Sequence, residues 1–209
     1  MQGDPLRSRP TTVRVVTDDD RRHWNERHAA AGLEGIDRLE PPPVFAARED
    51  LFPTTGRALD IACGRGRASV WLADRGMTVA GLDASPVAIE LADELAARHG
   101  CQERCTFAVA DLDQGLPSNV TAGPPFDLVL CHLFRQPALD GLLVERLAPG
   151  GLLAVAVLSE VGAGPGRFRA GPGELRNAFD HLSVEADGEA DGLAWLLATK
   201  PGGGETPTT

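Results

Sequence analysis

The 209-residue sequence predicts a doubly wound α/β fold: a mostly parallel sheet with helices on both faces. Three observations lead there. Between residues 57 and 158, short apolar runs alternate with helix-forming segments, and strands this apolar are buried on both faces. The first run breaks at a glycine turn that opens directly into a helix. The chain then ends in two strand-like runs joined by a tight, acidic, glycine-containing turn, which predicts an antiparallel hairpin on an otherwise parallel sheet.

In order, "RALDIAC" (57–63) reads as the first strand and 67–75 as a helix with Val70, Leu72 and Ala73 inward. "MTVAGLD" (77–83) is the second strand. The helix former "PVAIELADELAARHG" follows, with Pro86 in its first turn and Gly100 at its stop. "CTFAVADL" (105–112) and "FDLVLCHLF" (126–134) are strands three and four. "ALDGLLVERL" fits a helix and "GGLLAVAVL" (150–158) a fifth strand. After a helix in "GPGELRNAF", "LSVEADGEADGLAWLLATK" supplies the hairpin, for seven strands in all. Residues 1–17 lack periodicity and predict a flexible arm, and 201–209 a disordered tail. Residues 18–53 form an N-terminal helical segment, expected to lie over the ligand site, before a domain over 54–200.

Composition narrows the partners. Thirty acidic residues stand against twenty Lys and Arg, for a net charge of −10, and the only lysine is Lys200. Proteins held on nucleic acid usually present a basic face, because counterion release drives that affinity. The balance therefore counts against DNA or RNA. No apolar run approaches the ~20 residues of a membrane span, and the N-terminus lacks a secretory segment. Cys63, Cys101, Cys105 and Cys131 show neither zinc-type spacing nor disulfide-framework density. A cytoplasmic protein without a metal is the expectation.

The candidate site begins at the first turn, "LDIACGRGRAS" (59–69), since doubly wound sheets bind ligands at the carboxyl ends of their strands. Gly64 and Gly66 let a ligand approach the backbone, and the helix after them presents its positive end. A dinucleotide fingerprint would place a third glycine where Ser69 stands, which weakens that reading, and no phosphate-loop lysine follows. Asp83 ends strand two, where a carboxylate can accept both hydroxyls of a ribose. Its bland alternative is a helix cap, for which Ser85 is better placed. Asp111 ends strand three, where it could accept from an adenine amine while the Leu112 backbone serves the ring. A solvated turn aspartate is the alternative.

These residues resemble the class I S-adenosylmethionine-dependent methyltransferases. "LDIACGRGRAS" is similar to that family's first motif, Asp83 to its ribose acid, "ADL" (110–112) to its adenine-edge motif, and "LAPGGLLAV" to its turn into strand five. "HWNERH" (23–28) resembles the helix that precedes the core in small-molecule members of the thiopurine and tellurite-resistance type. The resemblance implies a Rossmann-like sheet and S-adenosylmethionine as cofactor, with S-adenosylhomocysteine as product. It implies cofactor contacts at Asp60, Ala62, Gly64, Gly66, Asp83, Ala84, Asp111 and Leu112, with Trp24 packing on the cofactor and Arg27 reaching a carboxylate or bracing the lid. Trp24 could instead simply dock a peripheral helix. Ala62 replaces the usual glycine, so a distorted backbone is expected there.

Methyl transfer needs no fixed triad, because positioning supplies much of the rate. His132, at the end of strand four, is the one candidate for acid–base work, or else a wall of the site. Cys131 reads as a buried strand residue. "GPPF" (123–126) precedes strand four, so it is a loop and not the motif of nucleobase amino methylation. The glycine-rich stretch 159–175 suits a substrate lid in which Arg167 and Arg169 would meet an anionic acceptor; a solvated loop is the alternative. With no inserted domain, a small-molecule acceptor is favoured. A macromolecular substrate, a dinucleotide oxidoreductase and a non-catalytic cofactor-binding protein remain the rivals. The sequence leaves the oligomeric state open.

Overall fold

In the computed structural model, residues 18–202 are described, apart from 37 and 167. The expected arm at 1–17, Arg167 and positions 203–209 lie outside the described residues.

Helix α1 (Asp18–Ala31) precedes the sheet, followed by a 3-10 helix at Pro43–Leu51. Strands and helices then alternate: β1 (Arg57–Ile61), α2 (Arg67–Asp74), β2 (Thr78–Asp83), α3 (Pro86–Arg98) and β3 (Cys105–Val109). A short α4 (Ser118–Thr121) leads into β4 (Phe126–His132), α5 (Asp140–Arg146) and β5 (Leu147–Ser159). The chain continues through β6 (Arg169–Ala170), α6 (Glu174–Ala178), β7 (Ser183–Ala190) and β8 (Leu193–Thr199).

The sheet runs β3-β2-β1-β4-β5-β8-β7. All neighbours are parallel up to β5, and β8 and β7 join antiparallel as the closing hairpin. This is the expected seven-stranded, mostly parallel sheet with its closing hairpin, and the eighth strand, β6, is an addition. The 159–175 stretch, expected as a substrate lid or else a solvated loop, therefore contains a short strand. Leu158 pairs with Leu193 of β8 on one side and with Arg169 of β6 on the other. β6 thus occupies the flank of β5 that β4 leaves at its carboxyl end.

Period-two alternation sends Leu59, Val129 and Val155 to one face and Ala58, Leu128 and Ala154 to the other. Each face carries its own apolar layer, as a parallel sheet requires. On the first, Leu143 of α5 and Leu175 of α6 pack down. On the second, Val70 and Leu72 of α2 and Leu95 of α3 do so. The Pro43–Leu51 segment belongs to this second face: Phe45 and Phe52 meet each other, Trp71 and Trp195 at ring-centroid distances of 5.3–6.3 Å. Of the N-terminal segment 18–53, α1 therefore lies over the carboxyl edge of the sheet and the Pro43–Leu51 helix does not. Burying an aromatic side chain as fully as Phe45 is worth about 1.5–3 kcal/mol, enough to pin this segment to the core.

The "GPPF" loop lies at the amino end of β4. Arg57 and Arg146 both donate to the Pro124 carbonyl there. At the same edge Lys200 donates to the carbonyls of Val144 and Leu147, closing the C-terminal end of α5.

Candidate active site

The turn after β1 packs three left-handed residues into five: Ala62 at φ 55°, Gly64 at 53° and Gly66 at 72°. At Ala62 that conformation costs about 1–2 kcal/mol, so the backbone is distorted where an alanine replaces a glycine. Gly66 is required for space as well. A Cβ there would stand 2.7 Å from Ala92 Cβ of α3 and 3.2 Å from Phe107 Cζ of β3. Beneath the turn, Asp60 is 2% exposed and accepts a 2.5 Å hydrogen bond from Ser69 Oγ. Burial lifts its pKa to about 7, against the pull of the Ser69 bond. Ser69 is thus no defective third glycine but the partner of this acid.

Asp83 ties the turn to the end of β2. One carboxylate oxygen accepts from the Gly64 amide and the other from the Ser85 amide, each at 2.9 Å. Ser85 is the cap of α3, accepting from the Ala88 amide at 3.1 Å, and half-buried Ala84 sits between the two. At the end of β3, Asp111 accepts from the Asp113 amide at 3.1 Å and opens the 3-10 turn begun by buried Leu112. The expected cofactor residues of three adjacent strands therefore line one edge.

Helix α1 lies across that edge and contacts it at a spacing of i, i+4, i+7. Arg21 pairs with Asp111, and Asn25 accepts from Ser85 Oγ. The His28 ring comes within 3.5 Å of the point a Cβ on Gly64 would occupy. Burial lowers the His28 pKa against the attraction of Asp83, and Arg65 and Arg27 lower it further. Arg65 reaches back from the turn to the Ala31 and Gly32 carbonyls, the negative end of α1. Trp24 and Arg27 are placed otherwise. Trp24 is 39% exposed and carries the Arg27 guanidinium over its ring at 5.3 Å. The residues of α1 that face the strand ends are Arg21, Asn25 and His28; His28 stands where the resembled helix has an aromatic residue, and Arg21 and Asn25 belong to no motif. Their helical spacing was the available signal.

The other half of the edge has a different chemistry. His132 ends β4 half-buried, and burial lowers its pKa, so the imidazole is neutral at pH 7 and can accept a proton. Leu133 follows at φ 61° and is 53% exposed, its amide donating to the Ala156 carbonyl at 2.7 Å. Phe168, just before β6, has φ 63° and is 36% exposed. Arg135, 8% exposed at its side chain, grips both Asp140 oxygens at 2.6 and 2.9 Å and Glu174 at 3.0 Å. Arg169 donates to the Ser159 and Gly192 carbonyls, fastening the 159–175 stretch to the hairpin turn. Burial pushes the Cys131 thiol up to about 12 and Cys63 well above its ordinary value, so neither is a thiolate nucleophile. Among the described residues no helix is long and apolar enough to cross a membrane.

Residues 54–191 match a family model described as a methyltransferase domain. The chain belongs to that family, with the class I S-adenosylmethionine-dependent fold. It is 34% identical over 129 residues to the 2-heptyl-1-hydroxyquinolin-4(1H)-one methyltransferase of Mycobacteroides abscessus, covering 60% of this chain and 56% of that protein. It is 38% identical over 107 residues to the ribosomal RNA small subunit methyltransferase C of Alcanivorax borkumensis, covering 47% of this chain and 31% of that protein. The chain thus spans between about a third and just over half of the length of these two relatives. Among solved structures, the DhpI–SAH complex superposes with a TM-score of 0.59 at 18% identity, over 87% of this chain and 95% of that one.

The residues present fit S-adenosylmethionine. The curled turn at Ala62, Gly64 and Gly66 and the carboxylates of Asp83 and Asp111 set exposed backbone and two acidic acceptors along one edge.

Proposed function

We propose that this domain transfers the methyl group of S-adenosylmethionine to a small-molecule acceptor. The cofactor supplies an electrophilic methyl on a sulfonium. Gly64 and Gly66 would hold its methionine end, Asp83 its ribose, and Asp111 with the Leu112 backbone its adenine. Ala62 and Ala84 would line the approach, and Asp60 would support the turn from below. His132 would orient the acceptor and take its proton when the acceptor is protonated at working pH. In-line alignment supplies the larger part of the acceleration.

The observation that carries the small-molecule reading is the division of the carboxyl edge. α1 crosses the ends of β3, β2 and β1, at Asp111, Ser85 and Gly64, and the approach at β4 is left to the short 159–175 stretch. That division, in a chain of net charge −10, suits a compact acceptor better than a polyanion. The quinolone methyltransferase relative agrees with this reading. The ribosomal RNA relative favours the alternative of a nucleic-acid acceptor.

S-adenosylhomocysteine at about 100 times its dissociation constant should stabilise the protein by ~2.7 kcal/mol. A melting temperature unmoved by millimolar S-adenosylhomocysteine sinks the cofactor assignment. Incubation with labelled S-adenosylmethionine and either a small-molecule acceptor pool or ribosomal RNA then separates the two acceptors. Label transferred only to RNA overturns the small-molecule reading.

A further inference from the structure

We propose that Leu133 and Phe168 are acceptor-specificity residues, and that the acceptor carries an uncharged apolar body which packs on them while its polar atom reaches His132. This rests on the methyl-transfer reading above and names the substrate class of the same site.

The sheet register brings the two residues together. Leu133 leaves β4 with its amide on the Ala156 carbonyl, which places it beside Val157 of β5. Phe168 immediately precedes Arg169, the partner of Leu158, and so flanks Val157 on the same side of β5. One column beside β5 therefore ends at Leu133 and resumes at Phe168, and the interruption is at the carboxyl edge next to His132. Both residues combine a left-handed backbone with an exposed, large apolar side chain. Either feature alone is commonplace. Together, twice, at one break in a sheet, they are backbone strain kept beside partly exposed apolar surface, which is the pattern of a ligand-binding position.

Position and charge say what covers them. Adenine, ribose and methionine positions follow the order β3, β2, β1, so the next strand in the sheet, β4, is where an acceptor must approach the methyl. Among the described residues on this half of the edge, the cations Arg135 and Arg169 already hold protein oxygens, Arg135 through three of its hydrogen-bonding nitrogens. An acceptor carboxylate or phosphate would have to break those bonds to be recognised by either. An apolar ring or alkyl body needs none of them. In the reaction, the acceptor's heteroatom forms its bond to the methyl carbon as the carbon–sulfur bond breaks, the electron pair stays on sulfur, and the acceptor proton leaves to His132.

Equilibrium dialysis of the full chain, with and without saturating S-adenosylhomocysteine, tests this using 1-naphthol and 4-hydroxybenzoate as probes. 1-Naphthol should bind at least tenfold more tightly than 4-hydroxybenzoate. Leu133→Asn and Phe168→Asn should each weaken it by roughly tenfold, the scale of a lost apolar contact. Asparagine tolerates the left-handed backbone, so both variants should fold; Leu133→Gly and Phe168→Gly are the second pair should either fail. S-adenosylhomocysteine affinity, read by calorimetry, should stay within twofold, which a general structural defect would not allow. Equal or tighter binding of 4-hydroxybenzoate, or 1-naphthol binding unchanged in the variants, overturns the inference while leaving the cofactor reading intact. Naphthol binding that obeys these expectations without any S-adenosylhomocysteine binding overturns the cofactor reading instead.

Discussion

The two halves of the sheet's carboxyl edge differ in how their polar groups are satisfied. Under α1, the ends of β3, β2 and β1 form a closed polar circuit: Arg21 on Asp111, Ser85 on Asn25, and Asp83 on the Gly64 and Ser85 amides. At β4 and β6, Arg135 and Arg169 turn onto protein oxygens while Leu133 and Phe168 are exposed. The first half resembles a site whose ligand brings many hydrogen bonds and must replace those already made. The second resembles a site whose ligand brings surface. A shared, strongly polar cofactor and a variable acceptor need this asymmetry, since binding one class of group says nothing about the other.

The comparison can be broken most severely at His132. His132→Gln should lower turnover by about 10²–10⁴-fold for a protonated acceptor. It should also abolish the acid limb of the rate profile, which the lowered pKa places below 6.5. S-adenosylhomocysteine binding should not change. A full rate in the variant removes His132 from the chemistry.

Asp60 comes next. Its carboxyl pKa rises from 3.8 unfolded to about 7 folded, so between those values the native chain holds a proton that the unfolded chain has released. Its contribution is therefore fully present below pH 4, declines as pH rises towards 7, and is flat above that. Asp60→Asn should remove this slope and leave the variant the more stable of the two at pH 8 by a few kcal/mol. Urea midpoints of both proteins from pH 4 to 8 measure it, and parallel curves would refute it.

Asp83→Ala should weaken S-adenosylhomocysteine binding at least tenfold. Because the carboxylate also holds two amides, it should cost about 1.5–3 kcal/mol of stability as well. Affinity unchanged in a folded variant would remove the ribose role. The smallest effect is at Ala62, where Ala62→Gly should relieve the left-handed strain and stabilise the protein by about 1 kcal/mol, with cofactor affinity unaltered. A destabilised glycine variant would mean that the turn is not strained.

What was legible in the sequence was what a period or a turn chemistry dictates. The parallel strands were readable as apolar runs, the hairpin from its acidic glycine turn, the α3 cap from Ser85, and the bend at Ala62 from a missing glycine. What escaped depends on contacts between polar groups distant in sequence. α1 has almost no apolar stripe, so nothing in its hydrophobic pattern separates the face of Arg21, Asn25 and His28 from that of Trp24 and Arg27. The Trp-x-x-Arg pattern marks the exposed pair, Trp24 and Arg27. Ser69 looked like a departure from a glycine fingerprint because its partner, Asp60, is nine residues away and buried. β6 is two residues long, too short to show a period, and the 43–51 helix was placed over the site because its anchoring aromatics, Trp71 and Trp195, lie far along the chain.

Lys200 has a practical consequence. It is the only lysine in the sequence, and it sits where the end of β8 meets the beginning of β5, at the edge opposite Asp83 and His132. Amine-directed coupling at a side chain therefore has a single address, slowed by the carbonyls that Lys200 already holds. A sensor surface or bead that captures the protein there would hold it by the far rim and present the binding edge outward to solution.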